Sequence, residues 1–255
     1  MDRTSQARFR QRITKREPLL GTLVSLPSPE IAELLAGAGF DWLFVDMEHG
    51  LLDFASVQHM VQAAWHLCPS VVRVPSNEPV WIGKALDTGA AGLIFPHISS
   101  AEEAAEAVAA GRYPPEGARS IGAARAQGFG SLIEDSVAHA NAETTLVAQI
   151  EHADAVRAIE EILLVPGVDA VFIGPFDLSA SLGRPGDIAH PEVQRAIATV
   201  RDACATRGIP CGIFAVDAGA ARQAFAEGYS LVCAATETIL LGAAAKRLVR
   251  ECRSR

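Results

Sequence analysis

Short apolar runs alternate along this chain with longer segments whose apolar residues recur at helical spacing. Runs at 20–26, 42–46, 71–74, 92–96, 146–151, 170–174, 211–214 and 231–234 are rich in Val, Ile, Leu and Phe at consecutive positions. That is the pattern of strands buried on both faces in a parallel sheet. Segments 29–38, 54–67, 80–89, 101–111, 153–165, 191–207, 218–228 and 236–250 read as helices. Pro29 and Pro191 stand at helix starts, and Gly89, Gly111, Gly208 and Gly228 at helix stops, the positions those residues favour. Eight strand-then-helix units in 255 residues predict an α/β fold of the (β/α)8 TIM-barrel type. The main competitor, a doubly wound open sheet, would carry a glycine-rich phosphate turn after its first strand. Ser25-Leu26-Pro27-Ser28-Pro29 stands there instead.

A single domain is expected over 1–255, with residues 1–18 as an N-terminal arm or leading helix. Residues 112–144 break the rhythm. A connection that long is expected to be functional or to contact a partner, unless it is a decorative insertion with a short helix.

Composition narrows the function classes. At 49% hydrophobic and 20% charged, the chain is an ordinary folded globular protein. Thirty acidic against 22 basic side chains leave −8, which disfavours a nucleic-acid partner. No apolar run is long enough to span a bilayer, and the basic N-terminus leads into no apolar core, so neither a membrane partner nor a secretory signal is expected. The five cysteines, Cys68, Cys204, Cys211, Cys233 and Cys252, form no CxxC pair. They read as reduced thiols of a cytoplasmic protein.

A barrel of this kind works at the C-terminal ends of its strands. Those ends offer Asp46-Met47-Glu48-His49-Gly50, Arg73, Pro96-His97, Gln149 with Glu151-His152, Gly174-Pro175-Phe176-Asp177, Asp217, and Thr236-Glu237. Glu151 and Asp177 come from neighbouring strands, about 4.8 Å apart. Two carboxylates so close repel unless a cation lies between them, and oxygen ligation suits Mg2+ or Mn2+. The alternative is that Glu151 and Asp177 merely cap helices. Asp46 could orient His49 as a general base. Arg73, ending an apolar strand, would be costly unless it faced a polar pocket, where it could hold an anion, or an internal salt bridge with Glu151 or Asp46. Gln149 and Glu151, two apart on one strand, face the same side. The three lysines, Lys15, Lys84 and Lys246, all lie off the predicted strands. A Schiff-base aldolase needs a lysine inside the barrel, so carbonyl chemistry here would need a metal.

Five motifs in order resemble the HpcH/HpaI family of metal-dependent pyruvate aldolases. They are Phe44-Val45-Asp46-Met47-Glu48-His49-Gly50, Val72-Arg73-Val74-Pro75, Tyr113-Pro114-Pro115-Glu116-Gly117-Ala118-Arg119-Ser120, Gln149-Ile150-Glu151 and Val171-Phe172-Ile173-Gly174-Pro175-Phe176-Asp177-Leu178-Ser179. The resemblance implies that Glu151 and Asp177 hold a divalent ion (Mg2+, Mn2+ or Co2+) and that Arg73 meets the keto oxygen of pyruvate. It makes His49, supported by Asp46, the base, and has Gln149 help place the substrate. Backbone amides at Phe176 and Asp177 would take the carboxylate. Asp87 matches a further acid expected near the site across a subunit contact. It also implies a homohexamer, a trimer of dimers, with the last helix exchanged between subunits. Phe176 departs from the small residues common at its position.

The implied reaction is reversible cleavage of a 4-hydroxy-2-oxo acid to pyruvate, or a related 2-oxo acid, and an aldehyde through an enolate. A citramalyl- or malyl-CoA lyase of the same wider group would need a basic groove for the diphosphate, and no basic cluster follows residue 16. A non-catalytic 2-keto-acid-binding barrel would be expected to have lost Glu151, Asp177, Arg73 or His49, and all four are present.

Overall fold

A computed structural model describes residues 4–254; Met1–Arg3 of the expected N-terminal arm and Arg255 lie outside the described residues. The strands β1 (Leu19–Val24), β2 (Trp42–Asp46), β3 (Ser70–Arg73), β4 (Gly92–Phe95), β5 (Thr145–Ile150), β6 (Ala170–Ile173), β7 (Cys211–Ala215) and β8 (Leu231–Thr236) pair in sequence order. All pairs are parallel, and β1 closes on β8. The α/β barrel expected from the alternating pattern is the fold observed.

The helices in chain order are α1 (Thr4–Thr14), α2 (Pro29–Gly37), α3 (Phe54–Ala64), α4 (Pro79–Asp87), α5 (Ala101–Gly111), α6 (Ile133–Glu143), α7 (Ala153–Arg157), α8 (Ile159–Ile162), α9 (Pro175–Ser181), α10 (Pro191–Arg207), α11 (Ala218–Ala226) and α12 (Glu237–Arg253). Side-chain caps start several of them: Ser28 accepts from Ile31 N, Asp53 from Ser56 N and Ser100 from Glu103 N. Each satisfies an N–H that the first helical turn leaves without a partner. The helix expected over 153–165 is two short pieces, because the chain leaves helical geometry at Ala158. The 112–144 insertion contains a cis Pro114–Pro115 bond, a 3-10 segment (Arg125–Gly130) and α6.

Alternation along the strands separates two cores. Outward residues such as Leu43, Val45, Leu146 and Ile150 pack under the helices. Inward residues fill the barrel, and Phe9 and Ile13 of α1 join them from its N-terminal end. Trp42, Phe44 and Phe172 stack in the middle, with ring centroids 5.6–6.3 Å apart. Trp42 lies so close over Gly21 that a Cβ there would stand 2.4 Å from the indole, so only glycine fits. The inward layers of β2 read Trp42, Phe44, Asp46, and those of β5 read Val147, Gln149, Glu151. The interior therefore turns from apolar to polar toward the C-terminal rim.

Candidate active site

Four strand ends converge at that rim. The Asp46 carboxylate takes both prongs of Arg73: Nε donates to Oδ1 at 2.9 Å and Nη2 to Oδ2 at 2.7 Å. Arg73 also stands over the Phe44 ring, 5.2 Å from its centroid. Burial would lower the Arg73 pKa, but the hydrogen bonds and charge of Asp46, with the charges of Glu48 and Glu151, raise it. The guanidinium is a fixed cation. Asp46 is therefore the anchor of Arg73. It reaches the His49 residue only through the backbone, Oδ1 accepting from Glu48 N and from His49 N. The His49 ring is mostly exposed, with Nε2 3.9 Å from Glu48 Oε2. Asp46 does not reach the His49 imidazole as expected, because its two oxygens already face the Arg73 guanidinium.

Glu151 is 3% exposed. Its Oε1 accepts from the His97 backbone N–H at 2.7 Å, and its Oε2 accepts from Gln149 Nε2. Gln149 Oε1 in turn faces Arg73 Nη1 at 3.5 Å. The shared face of Gln149 and Glu151, read from their spacing, is thus a direct contact. Gly174 makes room for it: a Cβ at that position would meet Gln149 Nε2 and Glu151 Oε2 at 3.0 Å. Burial pushes the Glu151 carboxyl up; the His97 hydrogen bond opposes this, and the charges of Glu48 and Asp177 reinforce it.

Glu48 and His97 stood among the rim residues of the sequence without an assigned role. Glu48 Oε1 lies 2.7 Å from His97 Nε2, and His97 Nδ1 lies 3.1 Å from Glu151 Oε1. Glu48 Oε2 is buried and takes no aligned hydrogen bond, although Arg73 Nη1 stands 2.8 Å away. One ligand atom from each of Glu48, His97 and Glu151 lies within 4.8 Å of the others, a spacing a single metal ion can bridge. Asp177, expected to pair with Glu151, is exposed on the first turn of α9 and lies outside that group of three, adding only its negative charge at Glu151. Glu48 and Glu151 meet at a site whose buried cation, Arg73, already serves Asp46. A divalent ion fits that surplus. Glu48 was legible only as part of the 46–50 run, and His97 only as the last residue of a strand.

A cavity of about 270 Å3 opens beside this cluster. Arg73, Gln149, His49 and Asp177 line it on one side, and Leu23, Phe44, Phe172, Phe176 and Phe214 on the other. Phe176 and Phe214 meet edge to face at 6.4 Å. The first N–H groups of α9, at Phe176 and Asp177, precede its first helical bond, from Leu178 N to Gly174 O.

Asp87 is elsewhere in this chain. It ends α4, on the descending side of the barrel, where Arg119 Nη2 donates to it at 2.9 Å and Gln127 Nε2 at 3.4 Å. Other rim candidates cap helices: Asp217 accepts from Ala220 N, Thr236 from Ile239 N and His152 Nδ1 from Asp154 N. Glu237 holds the β1–α2 connection through Ser25 N and Leu26 N. Lys84 and Lys246 lie on α4 and α12, outside the barrel, and Lys15 directly follows α1.

The family model described as HpcH/HpaI aldolase/citrate lyase matches residues 20–243. A hydroxypyruvate/pyruvate aldolase of Paraburkholderia phytofirmans is 42% identical, over 96% of this chain and 97% of its own length. A 2-keto-3-deoxy-L-rhamnonate aldolase of Escherichia coli K12 is 39% identical, over 91% of this chain and 88% of its own. Among solved structures, an HpcH/HpaI aldolase/citrate lyase family protein from Burkholderia cenocepacia J2315 superposes with a TM-score of 0.94. It shares 41% identity and covers 97% of this chain and 100% of its own.

Proposed function

This chain belongs to the HpcH/HpaI aldolase/citrate lyase family, and from that premise we propose how its rim residues perform an aldol cleavage. It is an aldolase, a carbon–carbon lyase that splits a 4-hydroxy-2-oxo acid into pyruvate, or a related 2-oxo acid, and an aldehyde. The relatives named for hydroxypyruvate, pyruvate and a keto-deoxy sugar acid suggest a three-carbon 2-oxo acid as the donor product. Glu151 and Asp177 would hold the divalent ion (Mg2+, Mn2+ or Co2+), with Glu48 and His97 beside them. When bound, that ion supplies a Lewis acid that polarises the keto group.

The protein's own groups do the rest. Arg73, held by two hydrogen bonds to Asp46, presents a fixed positive charge where the keto oxygen becomes negative. A donor that needs no reorganisation at that moment stabilises the transition state most. Gln149, bridging Arg73 and Glu151, keeps the two aligned. The free N–H groups at Phe176 and Asp177 would take the substrate carboxylate. His49, at the lip of the cavity, would take the proton from the C4 hydroxyl as the C3–C4 bond breaks, and a proton delivered to C3 would turn the enolate into the 2-oxo acid; synthesis runs both transfers in reverse. The apolar wall of Phe44, Phe172, Phe176 and Phe214 keeps water from the reacting carbon.

The reading rests on one observation, the meeting of Glu48, His97 and Glu151 beside a single fixed arginine. Its test is a retro-aldol screen over 4-hydroxy-2-oxo acids, including 2-keto-3-deoxy sugar acids, with pyruvate release coupled to lactate dehydrogenase. Chelation should abolish release, and added Mg2+, Mn2+ or Co2+ should restore it. Full activity in chelator, with borohydride trapping an adduct on a lysine, would overturn the reading.

The implied assembly belongs to the same proposal. α12 exposes Ile239, Leu240, Leu241, Leu248 and Val249, an apolar strip of the kind that packs on another copy. A homohexamer with exchanged last helices would cover the strip. In that assembly the single-domain barrel, its Asp87 included, would stand against a neighbour's site. Light scattering of the purified protein tests it. No helix among the described residues is long and apolar enough to cross a membrane, and the free thiols support a cytoplasmic location.

A further inference from the structure

We infer that Glu237, at the start of α12, is a positioning residue for the cleavage: it holds the turn on which the His49 loop rests. This rests on the reading that His49 takes the C4 hydroxyl proton, and it adds what keeps that base in place.

Little holds the His49 ring directly. The imidazole is mostly exposed, and Glu48 Oε2, 3.9 Å from Nε2, is too far for a hydrogen bond. Its place at the lip of the cavity is therefore set by its backbone. One anchor lies on the inner side, where Asp46 Oδ1 accepts from Glu48 N and His49 N. The other follows at Gly50. A Cβ there would stand 2.9 Å from Ser25 O and 3.2 Å from Ser25 Cα, and would also run into Asp46 O. Without a side chain, the loop lies directly against the β1–α2 turn at Ser25.

Glu237 fixes that turn. β1 pairs with β8 so that Leu23 stands opposite Thr236, which brings Glu237 beside Ser25. Glu237 Oε1 accepts from Ser25 N, Ser25 Oγ and Leu26 N, each at 2.8 Å. The residue is 3% exposed, and Oε2 has no hydrogen-bond partner among the described residues. An acid that only favoured the helix start could do so from the surface. Burying a carboxylate with one oxygen unpaired is costly, and what it secures is a turn held at three donors. Thr236, just before it, lines the same cavity as His49. The contacts thus run from α12 through Ser25 and Gly50 to the base.

The experiment uses the full chain, assayed in excess Mn2+ on the 4-hydroxy-2-oxo acid that the retro-aldol screen finds cleaved fastest. The variants are Glu237→Ala, Glu237→Gln and Glu237→Asp. Glutamine keeps the accepting oxygen and changes only the one without a partner, whereas aspartate is one methylene too short to reach all three donors. Glu237→Ala should lower kcat by about 10²-fold, the cost of a misplaced catalytic group. Its KM should change by less than about 3-fold, since Arg73 and the α9 N–H groups are untouched. Glu237→Gln should regain most of the loss and Glu237→Asp should not; if the alanine variant does not fold, the aspartate variant replaces it below. In a His49→Ala background the same change should cost less than about 3-fold, because a residue acting through the base has nothing left to act on. In the metal-free protein, hydrogen exchange over residues 46–50 should quicken while β5 and β6 hold. An undiminished loss in the His49→Ala background, a KM rising in step with the fall in kcat, or unchanged exchange over 46–50 would each overturn the positioning role. So would a loss in Glu237→Gln equal to that in Glu237→Ala. Full activity in His49→Ala alone would instead remove His49 as the base, sinking that reading together with this one.

Discussion

At the floor of the barrel, every group around Asp169 has a partner. Its Oδ1 accepts from Arg10 Nε and Nη2, and its Oδ2 from Arg112 Nη2 and Leu146 N. Arg12 bridges Glu17 and Asp41 beside it, and Phe9 and Ile13 seal the interior below. At the rim, Glu48 and Glu151 face one arginine that already serves Asp46, and the charge of Asp177 adds to that of Glu151. Both ends bury charge, but only the floor neutralises it within the chain. A completed cluster holds structure together, whereas one with surplus charge of a single sign waits for something from outside.

The contrast can be tested from both ends. The largest effect is expected from Glu151→Gln, which keeps the shape of the side chain but not its charge. Pyruvate release should fall at least about 10³-fold, while the thermal midpoint of the metal-free protein holds or rises, because a buried like-charge repulsion is relieved. A falling midpoint with retained activity would place Glu151 among the structural groups. Next is Arg73→Lys, which keeps the charge but loses the two-pronged grip on Asp46. Its kcat should drop by about 10²-fold or more, the cost typical of a lost oxyanion donor; steady-state kinetics decides.

At the floor the signs reverse. Asp169→Ala leaves Arg112 buried without its carboxylate and should cost about 3–5 kcal/mol in urea unfolding, with kcat of the folded enzyme unchanged. An equal loss in kcat would mean that the two ends are coupled. The smallest effect concerns Cys68, whose thiol burial pushes up to about 12. A raised folded-state value means the thiol's contribution to stability is complete below the ordinary thiol range and is lost as pH rises toward 12. At pH 8 a thiol reagent should therefore modify exposed Cys252 quickly and Cys68 only as fast as the chain unfolds. Fast labelling of Cys68 would show that the α3–β3 corner opens locally.

Much of the architecture was readable because its causes are local. β2 coincides with its expected span of residues 42–46, and α5 and α10 with the expected helices at 101–111 and 191–207, since apolar runs, caps and stops lie within each segment. α9 was missed, because its seven residues are too few to show helical periodicity. At the site, the shared face of Gln149 and Glu151 was legible from their spacing alone. The Arg73–Asp46 pair was legible only as one of two alternatives. Its choice depends on the register that sets Asp46 opposite Arg73 on neighbouring strands. His97 was invisible as a neighbour of Glu48, because no spacing rule links the ends of β2 and β4 across a barrel mouth.

The barrel, the rim as the place of chemistry, the exclusion of a lysine Schiff base and the family could all be read from the order of residues, since period, composition and ordered motifs are properties of the chain. It took the folded barrel to show that Asp46 serves Arg73, that Glu48 and His97 join Glu151, and that Asp87 lies away from its own chain's mouth. Those are contacts between strands and helices far apart in sequence, and they exist only once the sheet has closed and set their register.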